Sequence, residues 1–365
     1  MSNSKIIHYN LDPIDSLNAD INLIYGERSN GKSYQVKHKK AIIKYLKTGK
    51  RFILMRRLKD EISTEKIEQY FADVDVIKLT DGKYNCITMY MKKLFLSFYD
   101  IDTGKTKRGE KIGYVVALST EQNYAGASYL DVEDIIFEEF MSRSGYLPNE
   151  PDKLMNFRAT VDRKRNIVRL WLVGNTISRV CPYLEDWGLQ EIIFHQKQGT
   201  IEEIKISTGS FDDAGQEIFL KLAIEHCKST GTSSFAIGKH KDMINKGSWQ
   251  TDPQPKLPKS YKEYDMLYRF GFMYKGFKFL CEYLFDGKDV VWFIYPFKGE
   301  FKEDMVVFSD IIKPSQYWQR DIYGTDFKNE KLNQLFRSFR ESNIFYSSDM
   351  CGTDFKQAID FTIKK

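Results

Sequence analysis

The stretch Gly26-Glu27-Arg28-Ser29-Asn30-Gly31-Lys32-Ser33 constrains this chain more than any other. It is preceded by the apolar run Ile21–Tyr25 and followed by a polar, Lys-rich segment able to form a helix. The pattern is G-x-x-x-x-G-K-S in a strand–turn–helix context. Glycines at both ends let the backbone turn tightly, so that N–H groups of the loop converge on phosphate oxygens. The helix behind it adds the positive end of its dipole. In this arrangement Gly26, Arg28, Ser29, Asn30 and Gly31 cradle a nucleotide, Lys32 reaches its β- and γ-phosphates, and the Ser33 hydroxyl serves Mg²⁺. The plain alternative is a glycine turn with a surface lysine. The loop in register with strand and helix favours a nucleotide-phosphate site and ATP as ligand.

A loop of this kind implies a parallel sheet. From Ile21 to Asn175 apolar bursts alternate with helical or loop segments, as an α/β sheet requires. Buried strands are expected at Ile21–Tyr25, Arg51–Met55, Gly113–Leu118, Asp134–Phe137 and Val168–Val173, with further strands at Val74–Leu79 and Leu94–Tyr99. Helices are expected at Ser33–Thr48, Thr64–Phe71 and Asp152–Arg163. Beyond Asn175 the pattern loosens; Ile201–Ser207 reads as a strand and Glu217–Lys228 as an amphipathic helix. Three prolines within Asp252–Ser260 mark an extended linker. Aromatic-rich strands at Leu267–Phe272, Phe277–Leu284 and Val290–Pro296, then a helix at Asn329–Phe339, form a second unit. The expected fold class is a P-loop α/β domain with a mostly parallel sheet over 1–200, a linker region over 201–260, and a smaller α+β domain over 261–365.

A net charge of +5 is too small to make the whole chain a polycation, so any nucleic-acid face has to come from local clustering. The five cysteines are scattered and never form C-x-x-C, which argues against a disulfide framework and a zinc ribbon. The polar Met1–Asn10 lacks the apolar core of a signal peptide, and no stretch approaches the length of a membrane helix. A soluble, intracellular protein with no membrane partner is expected.

Hydrolysis needs more than a phosphate loop. In Val132-Glu133-Asp134-Ile135-Ile136-Phe137-Glu138-Glu139-Phe140 an apolar run ends in two carboxylates. Glu138 suits Mg²⁺, and Glu139 suits orienting and deprotonating the attacking water. Taken alone, the pair reads equally well as an acidic strand end. Asp162-Arg163-Lys164-Arg165 follows a helix, and a ring ATPase commonly inserts an arginine into a neighbour's site. Arg163 is the first candidate and Arg165 the second, against a solvated basic turn. Asn175, at the end of a strand, suits a polar sensor near the γ-phosphate or a simple turn.

Between Lys32 and Lys59 stand eleven Lys/Arg residues and no Asp or Glu, among them Arg56, Arg57 and Lys59; Lys105 and Lys107 add a basic hairpin tip. Such clusters bind double-stranded DNA by neutralising its phosphates without reading sequence. A solvated helix face accounts for part of the cluster as well.

The motif set resembles the DNA-packaging ATPases of small protein-primed tailed phages, the phi29-like encapsidation motors, which belong with terminases to the additional-strand catalytic-glutamate ring ATPases. The residues that carry the resemblance are Gly26–Ser33, Phe52–Arg57, Leu118-Ser119, Ile135–Phe140, Tyr146-Leu147-Pro148-Asn149-Glu150, Asp162–Arg165 and Gly174-Asn175. The resemblance implies Lys32 and Ser33 as nucleotide and metal contacts, Glu139 as the catalytic glutamate, Arg163 as a trans-acting finger and Lys59 as a DNA contact. It further implies a homo-oligomeric ring (a pentamer), docked on a phage portal and prohead in the host cytoplasm. Two departures stand out: Glu138 replaces the family's usual Asp, and Glu121–Ala125 lacks a lysine that acts as a second trans cation. The second domain resembles an RNase H-like nuclease relic, with Glu282 but no convergent carboxylate set. A packaging RNA is possible by resemblance, and nothing in the residues indicates one. Other readings are a different ring ATPase, such as a helicase or secretion motor, and a nucleotide-gated assembly protein without sustained turnover.

Overall fold

The computed structural model describes residues 9–363 apart from positions 29, 125, 143–144, 177–178, 212–213, 229–252, 312, 321, 323–326 and 342–343. The described residues form two compact units, 9–176 with 186–228 and 179–185 with 253–363.

The first unit is built on nine strands: β1 Ile21–Gly26, β2 Arg51–Arg56, β3 Cys86–Tyr90, β4 Lys93–Asp100, β5 Lys105–Ala117, β6 Val132–Glu138, β7 Arg169–Asn175, β8 Thr200–Phe211 and β9 Glu217–His226. They lie in the order β3-β4-β5-β2-β6-β7-β1-β9-β8. The stretch from β5 to β9 is parallel throughout, and antiparallel pairing closes both edges. Parallel strands covered on both faces read as unbroken apolar runs. All six residues of β1 are buried accordingly. β7 lies between β1 and β6, pairing Gly26 with Asn175 on one side and Glu138 with Val173 on the other. The carboxyl ends of these three strands therefore share one edge, where open α/β sheets bind ligands.

Two local expectations fail. Val74–Leu79 alternates like a strand, yet Val76–Leu79 is a helical turn capped by Asp75, whose side chain accepts the Lys78 N–H at 3.0 Å. Glu217–Lys228 is not a helix, because Glu217–His226 forms β9, and residues 200–226 are sheet rather than linker. Its apolar run suits a buried strand or a buried helix equally, and periodicity cannot choose between them. The choice falls to β1, which gains a second parallel partner along Ile21–Tyr25.

The expected helix over 33–48 is continuous but changes winding. Lys32–Val36 is α-helical, Lys37–Ile43 π-helical and Lys44–Thr48 α-helical. Its lysines are largely consumed by neighbours in the same unit. Lys37 pairs with Asp73, Lys39 with Asp12, Lys40 with Asp15, and Lys44 with Glu133 and the buried Asp134.

The second unit is a six-stranded mixed sheet of β10 Asp265–Tyr274, β11 Phe277–Phe285, β12 Val290–Pro296, β13 Val307–Ser309, β14 Trp318–Gln319 and β15 Ile344–Tyr346, ordered β14-β13-β10-β11-β12-β15. The helices Glu330–Glu341 and Asp349–Ile363 follow. Its core is aromatic: Phe270 meets Trp292, Phe308, Phe336 and Phe339 edge to face, with ring centroids 5.1–5.6 Å apart. No helix among the described residues is long and apolar enough to cross a membrane.

Candidate active site

The phosphate loop leaves β1 at Gly26, where a Cβ would stand 2.9 Å from the Cβ of Cys227. Gly31, at φ +92°, turns the chain into the helix through a conformation that L side chains rarely adopt. Asn30 is buried; its Oδ1 accepts the Lys32 N–H at 3.1 Å and its carbonyl accepts the Tyr9 N–H at 3.0 Å. Arg28 is exposed, and Ser29 lies outside the described residues.

Lys32 is 4% exposed, and burial lowers its pKa. Its ammonium donates to the Glu27 carbonyl at 2.6 Å and to Asn175 Oδ1 at 2.8 Å. Asn175 thus faces the site rather than serving a turn. Ser33 Oγ donates to Glu138 Oε2 at 2.9 Å, and the Tyr70 hydroxyl donates to Oε1 at 2.7 Å. Burial pushes the Glu138 carboxyl upward in pKa, while the two hydroxyls, then Arg56 and Lys32, pull it down. β6 keeps its parallel register with β7 up to Glu138.

Glu139 lies just past β6, at φ +59°, with its side chain 64% exposed. Arg56 Nη2 donates to its Oε2 at 3.4 Å. The next residue, Arg57, is buried and contacts the backbone of the same turn, with Nη1 donating to the Glu139 carbonyl at 3.0 Å. Lys32 with Asn175 and Ser33 with Glu138 form two hydrogen-bonded pairs, joined through the consecutive residues Lys32 and Ser33, and the exposed Glu139 follows Glu138 in the chain. Among the described residues no group of three or more His, Cys, Asp or Glu is arranged to hold a metal. One hydroxyl and one carboxylate nevertheless fit Mg²⁺, a hard cation usually carried by substrate phosphates with few protein ligands.

Tyr70 and Arg57 are the contributors that motif reading leaves without a role. Tyr70 lies in the last turn of the helix Thr64–Phe71 and meets Glu138 across 68 positions of sequence. Arg57 pairs with the fully buried Glu150, 93 positions away. The available signal was the Tyr146–Glu150 element, which stands out as a motif without a stated task.

The arginines after the helix Glu150–Asp162 lie elsewhere. That helix starts beside Arg57 and Glu139 and runs 13 residues, roughly 20 Å, toward the opposite edge of the sheet. Arg163 is exposed there, and its Nη2 donates to the Ala127 carbonyl at 2.9 Å. Arg165 is a structural anchor, donating to the carbonyls of Leu130, Val132, Val161 and Asp162 at 2.6–3.2 Å.

The basic stretch is less free than its sequence suggests. Lys50 and Lys44 share Glu133, Arg51 pairs with Asp131, Arg56 with Glu61 and Glu139, and Arg57 with Glu150. Lys59 lies exposed in the turn Lys59–Glu61, and Lys105 and Lys107 are exposed at the start of β5. In the second unit Glu282 is fully buried. Its oxygens accept from Arg269 Nε at 2.7 Å, Tyr295 OH at 2.8 Å and Tyr261 OH at 2.6 Å.

The chain is 33% identical over 178 residues to the DNA packaging protein of Bacillus phage B103, covering 46% of this chain and 48% of that protein. It is 31% identical over 182 residues to the DNA packaging protein of Bacillus phage phi29, covering 49% of each. The chain thus spans about half the length of the curated relatives it matches. Its fold is similar to that of a chain in the bacteriophage phi29 viral genome packaging motor assembly, with a TM-score of 0.57, 21% identity, and 97% of this chain and 99% of that one covered. The profile of the podovirus DNA encapsidation protein (Gp16) matches residues 3–207, which include the phosphate loop, β6, β7 and Arg163. With that match spanning more than half of its length, the chain belongs to the podovirus DNA encapsidation protein family.

Proposed function

We propose that this chain is a ring-forming, ATP-driven motor that moves double-stranded DNA into a viral prohead, acting in the host cytoplasm while docked on the portal. The observation that carries the reading is the convergence of Lys32, Ser33, Glu138, Asn175 and Glu139 at the carboxyl ends of β1, β6 and β7. Family membership and the packaging function named for its relatives support DNA as the substrate moved.

In this reading Lys32 exchanges the neutral Glu27 carbonyl and Asn175 amide oxygen for anionic phosphate oxygens, so that both partners of each hydrogen bond carry charge. Asn175 remains within reach of the terminal phosphate. Ser33 and Glu138 would hold Mg²⁺, which would neutralise charge on the phosphates. Tyr70 keeps the Glu138 carboxylate aimed at Ser33. Glu139 orients the attacking water and takes its proton, and Arg56 holds that carboxylate between turnovers.

In this reading Arg163, past the far end of the 13-residue helix Glu150–Asp162, completes a neighbour's site. Lys59, Lys105 and Lys107, together with Arg56 when Glu139 releases it, contact DNA phosphates. Because Glu282 is saturated by Arg269 and two tyrosines, no nuclease step is assigned to the second unit.

The test is ATP turnover per subunit against protein concentration, with and without long double-stranded DNA. Turnover is expected to rise with both. In Glu139→Gln, nucleotide binding should persist while turnover falls by about 100-fold or more, the usual scale for a positioned base. Rates indifferent to concentration and DNA, or full turnover in Glu139→Gln, would overturn the reading.

A further inference from the structure

Glu139 holds a left-handed backbone conformation that residues other than Gly, Asn and Asp rarely adopt. The turn is fixed from two sides. Arg57 Nη1 donates to the Glu139 carbonyl at 3.0 Å and Nη2 to the Phe140 carbonyl at 2.7 Å. The Phe140 N–H reaches the Val173 carbonyl of β7 at 3.3 Å. The guanidinium is itself gripped from behind, since its Nε donates to both oxygens of Glu150 at 3.1 and 2.9 Å. Its carbon lies 5.5 Å from the Phe137 ring centroid and 5.1 Å from that of Tyr146. Glu150 also accepts the Leu147 N–H at 2.8 Å, which ties the pair to the Tyr146–Glu150 element. Arg57 is 6% exposed and Glu150 not at all.

We propose that Arg57 and Glu150 form a buried positioning pair that sets the backbone of Glu139, and through it the direction in which the Glu139 carboxylate meets the attacking water. The proposal rests on the reading of Glu139 as the base. Consecutive residues at the end of β2 divide the work, with Arg56 holding the carboxylate and Arg57 the main chain. Only arginine suits the second task. Its planar fork offers five donors in fixed directions, so one group can serve two carbonyls and a carboxylate at once. Lysine would keep the charge beside Glu150 and lose the fork. Glu150 is the counter-charge that lets the guanidinium stay buried, and neither member is tolerable without the other.

The test uses the full chain and measures kcat and KM for DNA-stimulated ATP hydrolysis, affinity for a fluorescent ATP analogue, and thermal unfolding. Arg57→Lys should lower kcat by at least about tenfold, with KM and analogue affinity within about twofold of wild type, because the group acts on the base and not on nucleotide binding. Adding Arg57→Lys to Glu139→Gln should leave the residual rate within about twofold, since residues acting as one unit are not additive. An equal loss of kcat in both backgrounds, or an unchanged kcat in Arg57→Lys, would overturn the proposal. Should Arg57→Lys fail to fold, the double variant Arg57→Gln/Glu150→Gln, which leaves no uncompensated buried charge, gives the same comparison in the same two backgrounds, with the same outcomes on either side. Wild-type turnover in Glu139→Gln alone would instead remove the base itself, a result separable from any effect of Arg57.

Discussion

Glu225 lies on β9 opposite Ile24 of β1, one strand from the phosphate loop, and its Oε2 accepts the Tyr9 hydroxyl at 2.6 Å. Burial pushes its carboxyl up to about 7, against the pull of the Tyr9 hydrogen bond. An acid with a raised pKa binds its proton more tightly folded than unfolded. Its contribution to stability is therefore complete below about 4.5 and is lost as pH rises through about 7. Glu225→Gln removes this dependence. Urea unfolding at pH 4.5, 6 and 8 should show the variant gaining on the wild type by about 3 kcal/mol across that range, the free-energy equivalent of the shift. Parallel stability curves would mean that the carboxylate is already ionised at low pH. Residues such as Lys32, Ser33, Glu138 and Asn175 were legible in the sequence because each sits at a fixed place in a motif or at a strand end. Tyr70 was not, and Arg57 and Glu150 showed only as motif members without a role, since their partners lie 68 to 93 positions away and only the assembled sheet brings them together.

At the scale of elements, the helix Glu150–Asp162 and the basic turn after it show how one run of sequence divides between structure and function. Arg165 donates to five backbone carbonyls, most of them part-buried, and Asp162 accepts the N–H groups of Asn166, Ile167 and Val168 at 2.8–3.0 Å. Arg165→Ala should therefore cost about 2–4 kcal/mol in chemical unfolding, through several carbonyls left unpaired. Arg163→Ala, at an exposed position, should cost under about 1 kcal/mol and yet abolish most turnover. The reverse ranking would make Arg163 the structural residue and remove the case for a finger. Spacing alone did not separate the two arginines, because both suit a basic turn after a helix. The misread elements have a related cause. Glu217–His226 and Val76–Leu79 are short apolar runs whose state is decided by the free edge of β1 and by the Asp75 cap, neither of which is a periodicity. The strong strand–loop–helix signal at Gly26–Ser33 carried its own context and needed no such help.

At the scale of the whole molecule the question is whether one subunit holds a complete site. Lys32, Ser33, Glu138 and Glu139 gather at one edge of the sheet, and a 13-residue helix carries Arg163 toward the other. On the proposed reading, a cation so placed serves a site presented by another copy. Heterologous contacts that repeat this relation close into a ring when the rotation permits. Lys32→Ala subunits retain the finger and lose the phosphate contact; Arg163→Ala subunits do the opposite. Each is expected to be inactive alone. In an equal mixture about one interface in four joins an intact loop to an intact finger, so turnover should recover to about a quarter of wild type if interfaces fire independently. A smaller recovery would mean that neighbouring sites must fire in sequence, so that one dead interface stalls the next. No recovery, with both variants folded and co-assembled by cross-linking, would mean that Arg163 acts within its own subunit or not at all. The mixing experiment thus separates a site completed by assembly from one completed by folding.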